Sequence, residues 1–184
     1  MTILLQQTSQ TLALRALRAW NDPAVPQSLA IAVTSTALRE AGNLNGARGV
    51  QHLAMVTSQL AGLLWNDHQP DHCEGHLRTM LASALQQDAA VSSLVPRVLT
   101  VWAKRAAGQC GLDEAVAVTN TAYASAVQEQ GAIGIHALYG ATVCLTALLT
   151  SRQAEALGTT PQALLKGATR KLNRPPAGPA KGTV

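Results

Sequence analysis

Phenylalanine is absent from this chain, and its aromatic residues are only Trp20, Trp65, Trp102, Tyr123 and Tyr139. No ring stands among the basic residues of the C-terminal end, so that end lacks the stacking platform that single-stranded nucleic acid uses. Charge is also scarce: 13% of residues are Asp, Glu, Lys or Arg. With so few charges, many helix faces must be buried or only weakly polar. The three cysteines, Cys73, Cys110 and Cys144, are odd in number and far apart, which implies no disulfide framework and fits a reducing compartment. Met1–Gln7 lacks the basic start and long apolar run of a signal peptide, so a cytoplasmic location is expected. No nucleophile elbow, paired carboxylates on a helix, dinucleotide fingerprint or phosphate loop is found.

Alanine, leucine and valine are abundant, and hairpin signals are few. Such a chain reads as all-α, and its 184 residues suffice for one ordinary core or two small fused ones. Repeats are sought first, because missing one misreads the fold. Displaced by 85 positions, residues 30–64 lie on 115–149 without a gap, and 15 of the 35 positions are identical. Thr34, Thr36, Gly46 and Gly49 fall on Thr119, Thr121, Gly131 and Gly134. Upstream the displacement is 82, and Leu12, Arg15, Leu17 and Trp20 meet Leu94, Arg97, Leu99 and Trp102.

This pattern predicts a tandem duplication of a four-helix unit: about eight helices in a pseudo-twofold bundle. Residues 1–90 form the first unit, 91–172 the second, and 173–184 a flexible, basic, Pro/Gly-rich tail. The first helix ends at Trp20, before Asn21-Asp22-Pro23. The others are expected over about 26–42, 45–65, 74–87, 93–107, 113–130, 131–157 and 160–172. Thr160 followed by Pro161 is a capped helix start. A stack of helical hairpins is the alternative, since Trp20-Asn21-Asp22 recurs as Trp65-Asn66-Asp67. No charged residue lies between Arg48 and Asp67 or between Glu129 and Arg152. A buried central helix explains both stretches. A transmembrane span would suit only the second, because the first carries Gln51, His52, Ser58 and Gln59.

Positions matched in both units read as architecture, and unmatched positions are where function is sought. The two Gly-Ala-x-Gly helix starts then mark close helix packing; anion binding at a helix N-terminus is the alternative. The Thr pairs read as mid-helix residues bonding back to the preceding turn, or as the polar lining of a central pocket bounded by Thr34, Thr119, His136 and Tyr139. His136 and Cys144 stand two turns apart on one helix, a spacing that brings no contact and therefore no nucleophile pair.

His68, His72 and His76 have no counterparts in the second unit. Their spacing by four suits zinc or nickel on a helix, but Pro70 and Gly75 argue for a solvated connection instead. The basic end is also unmatched. From Arg152 onward there are six Lys/Arg and one acid, and Lys166, Arg170, Lys171 and Arg174 could meet phosphates. They could equally complement a helix C-terminus.

The expectation is a non-enzymatic helical interaction module, a regulatory or accessory subunit that binds a protein partner. Alternatives are a helical subunit of a nucleic-acid complex and a small-molecule binder or enzyme with a pocket between central helices. Neither a cofactor nor a membrane partner is expected.

Overall fold

The structure is a computed structural model that describes residues 2–65 and 89–173. Among these residues every regular element is a helix: α1 (Thr2–Asn21), α2 (Gln27–Leu64), α3 (Ala89–Ala106), α4 (Leu112–Ala156) and α5 (Pro161–Leu172). Leu12, Ala13, Ala16 and Leu17 recur at helical spacing and form the buried stripe of α1, while Arg15 and Arg18 face outward. Pro23 follows the end of α1. There Asn21 donates its side-chain amide to the Leu17 carbonyl and accepts from the Ser151 hydroxyl at 2.7 Å, which ties α1 to α4.

Among the described residues there are five helices rather than about eight, so neither a bundle of two four-helix units nor a stack of helical hairpins describes them. Separate helices were expected on either side of each Gly-Ala-x-Gly start. Instead the backbone stays helical on both sides of a short kink, so α2 runs for 38 residues and α4 for 45. Asn45 and Gly46 carry the kink in α2, and Gly131 carries the kink in α4. The expected helix over 74–87 lies outside the described residues, as does the tail beyond Asn173. In α3 the start lies at Ala89 rather than near residue 93, which places Pro96 inside the helix. The start of α5 is as read: Thr160 accepts from the Ala163 amide at 3.2 Å, and Pro161 opens the first turn.

The two kinks are alike in detail. Gly46 has φ 57° and ψ −145°, and Gly131 has φ 61° and ψ −140°, a region in practice open only to glycine. Three residues on, each chain passes against its own first limb. A methyl group at Gly49 would run into the Ala41 carbonyl oxygen, and one at Gly134 into that of Ala126. The matched glycines therefore divide the work: one turns the backbone, the other admits close approach.

Beyond the kinks, both long helices are enclosed. Leu53, Val56, Leu60, Ala61 and Leu64 of α2 are buried, as are Leu138, Ala141, Val143, Leu145, Ala147 and Leu149 of α4. One apolar cluster joins them to Leu17 of α1, Val98 and Trp102 of α3 and Leu165 of α5. Burial over most of their surface explains why these segments need no charge. Leu112–Ala156 is long and apolar enough to cross a membrane, and 61% of its most apolar window is already covered by the molecule itself. Gly62 sits where α2 crosses α3, with room for no side chain between it and the Trp102 carbonyl.

Candidate functional site

Each tryptophan that ends the first helix of a matched pair is held by a threonine. Trp20 Nε1 donates to Thr34 Oγ1 at 3.0 Å, and Trp102 Nε1 donates to Thr119 Oγ1 at 2.9 Å. Each threonine spends its own proton on the carbonyl four residues back, Ala30 or Ala115, at 2.8 Å. That bond turns a lone pair toward the indole, so a mid-helix Thr becomes a fixed acceptor. Spacing alone showed the back-bonding threonine; the indole it serves arrives from another helix.

Beside Trp20 a groove runs between the first limb of α2 and the second limb of α4. Its wider part, about 540 Å³, is bordered by Ala32, Ser35, Thr36, Arg39, Asn43 and Val50 on one side and Ala132, Ile135 and His136 on the other. A recess of about 260 Å³ continues it over Trp20, with Ile31, Thr34 and Tyr139 in its wall. Ser35, Leu38 and His136 border both parts, so the two are continuous. A smaller hollow of about 180 Å³ lies between α3 and α4, near Leu94, Arg97, Val118 and Thr121.

Of the four residues read as a pocket, Thr34, His136 and Tyr139 therefore meet at one recess. Thr119 belongs to the Trp102 contact and borders none of these hollows. His136 is exposed at the rim, whereas Tyr139 is fully buried. Arg39 and Asn43 were missed by reading for motifs. One signal was present: Arg39 faces Ala124 in the matched segment and His136 faces Gln51, so both are unmatched positions.

The interior beneath the groove is polar in an unusual way. Thr142, Thr146 and Thr150 each donate to the carbonyl one turn back, and Thr57 does the same. The Tyr123 and Tyr139 hydroxyls have no hydrogen bond of good geometry. Thr142 beside Tyr123 and Thr57 beside Tyr139 only partly offset their burial. Burial raises both phenols well above the ordinary tyrosine range, and each stays protonated at neutral pH. Burial likewise pushes the Cys144 thiol up to about 11. A buried, protonated thiol is a poor nucleophile, and Cys144 is sequestered while His136 stands at an open rim.

The basic end is only partly placed. Lys166, Arg170 and Lys171 are exposed on α5, whose Leu165 and Ala168 face the core. Arg174 lies outside the described residues, as do His68, His72 and His76. Among the described residues no group of three His, Cys, Asp or Glu is arranged to hold a metal ion. His52 is half-buried with Nδ1 unpartnered, and desolvation lowers its pKa.

Compared with known proteins, the chain matches no protein-family model, no curated protein and no solved structure.

Proposed function

We propose that this chain is a non-catalytic helical binding module, an accessory subunit that seats a protein partner in the groove between α2 and α4. The observation that carries this reading is the groove itself. It joins apolar walls (Ile31, Val50, Ile135) to a few polar groups, Ser35, Arg39, Asn43 and His136, which have no hydrogen bond or ion pair among the described residues. Unspent polar groups in a concave apolar setting are what a recognition surface offers. The groove is also open along its length. Small-molecule sites enclose most of their ligand, so this shape favours a macromolecular occupant.

The test is affinity purification from the native cell with wild type, Ala32→Trp and Lys166→Glu. Ala32 is exposed in the groove, so the indole fills it without entering the core. Partners should be lost with Ala32→Trp and kept with Lys166→Glu. A partner set indifferent to Ala32→Trp would refute the groove.

A second reading draws on Lys166, Arg170 and Lys171, which share exposed positions near the end of α5. A nucleic-acid contact there should weaken steeply with salt. It should disappear when all three are changed to Glu, which a gel-shift titration measures.

A further inference from the structure

We infer that the occupant of the α2–α4 groove is an amphipathic helix of a partner protein that sets an acidic side chain against Arg39. This rests on the reading of the groove as the binding site. On the first limb of α2 groove positions run from Ile31 to Asn43, and 12 helical steps of ~1.5 Å each span ~18 Å, about three helical turns. Its walls are two helices, and its floor at one end is Trp20, pinned to Thr34. The recess over Trp20 takes one apolar side chain, and the wider part takes the next turn. Such a row of anchors, one turn apart, is how a helix docks in a groove. The described residues hold no sheet, so there is no strand edge to which an extended peptide could add.

Charge selects the chemistry. Among the described residues no Asp or Glu borders either part of the groove. Glu40, the acid beside Arg39 in sequence, is held by Arg15 at 2.9 Å. Among the described residues Arg39 has no ion-pair partner, and its guanidinium can take a carboxylate through two parallel bonds. A single such cation in an apolar groove does not suit a nucleic-acid backbone, which is met by several cations at once.

The experiment displays two libraries on phage: 15-residue helices with leucine at positions 4, 8 and 11 and all other positions random, and fully random 15-mers. Both are selected on the intact chain and counter-selected on Ala32→Trp. Enriched helices should carry Asp or Glu at one fixed position. Replacing it by Gln should weaken binding at least about fivefold. Arg39→Ala should weaken the acidic peptide equally, the two changes together should do no more harm, and Arg39→Glu should enrich Lys or Arg at that position.

Helices that bind and are blocked by Ala32→Trp, yet show no acidic preference, would overturn this inference and leave the groove as a binding site. Enrichment of random peptides without helical character would overturn the helix. Binders indifferent to Ala32→Trp, or none at all, would overturn both readings. Two further arms identify other occupants. A wild-type dimer that Ala32→Trp converts to monomer, measured by sedimentation, would show the groove taken by a second copy. Hexanoate binding lost in Ala32→Trp, with no peptide enriched, would assign it to a small carboxylate.

Discussion

Replacing Gly49 by alanine sets two well-characterised effects against each other. In an ordinary helical position the change stabilises, because alanine exceeds glycine by about 1 kcal/mol in helix propensity. At Gly49 the new methyl would sit 2.9 Å from the Ala41 carbonyl carbon and closer still to its oxygen, with Asn45 Cβ at 3.0 Å. Favourable carbon contacts begin near 3.5 Å, so this is deep repulsion. The obstacle is backbone, and no rotamer change relieves it; the second limb of α2 must move away from the first. Overpacking of this kind costs about 1–3 kcal/mol, and a rigid obstacle places it at the upper end. After the propensity gain, a net loss of about 2 kcal/mol is expected. Gly167 in α5 is the internal control, since a methyl there meets nothing within 4 Å. Gly167→Ala should gain about 0.5–1 kcal/mol. Urea denaturation of the two variants beside wild type, with unchanged slopes, measures both. If Gly49→Ala comes within about 0.5 kcal/mol of wild type, the close-packed reading of the kink is wrong.

Gly134→Ala should behave like Gly49→Ala, because the Ala126 carbonyl carbon lies 2.8 Å from its added methyl; the same titration checks it. Thr119→Val removes the acceptor of the buried Trp102 indole and should cost about 1–3 kcal/mol. Thr34→Val should cost less, because the Trp20 contact is only partly buried and water can replace the hydroxyl; paired thermal melts rank the two. Stability should also fall at high pH. Cys144 titrates near 9.0 when unfolded and about 11 when folded, so its contribution is complete below pH 9 and lost as pH rises toward 11. Tyr123 and Tyr139 add to this loss above the ordinary tyrosine range. Cys144→Ala should flatten the decline between pH 9 and 11 in denaturation curves, and an unchanged slope would contradict the burial argument. His52 acts with the opposite sign: its pKa is lowered by burial, so stability present above the ordinary histidine value should diminish as pH falls below it. A denaturation series on His52→Gln from pH 7 to 5 would show the loss removed.

Much of the site was latent in the residues but not in their order. Matching Thr34 with Thr119 and Trp20 with Trp102 marked four positions that the fold then paired as donor and acceptor. Their meeting requires α1 to cross α2 and α3 to cross α4, and no local pattern states a crossing. Arg39 and His136 lie 97 positions apart, so only packing shows that they share a groove. Gly62 stood out in no motif, because its role comes from the Trp102 backbone on another helix. The error in helix number has a local cause. Gly42 and Gln130 read as helix ends, and Asn45 and Gly131 as new starts, but a break and a kink use the same kinds of residue. Which one forms depends on whether the next turn packs back on the last, as Gly49 and Gly134 do.

Composition and periodicity alone determined that the chain is helical and where the charge-free and therefore enclosed stretches lie. These follow from backbone preference and from the expense of burying charge, which act residue by residue. The tertiary structure alone decided that helices continue through the bends, that the Trp20 and Trp102 indoles find their threonines, and that Arg39 borders a groove. Those outcomes depend on distances between residues remote in the chain, which only the packing of one helix on another sets.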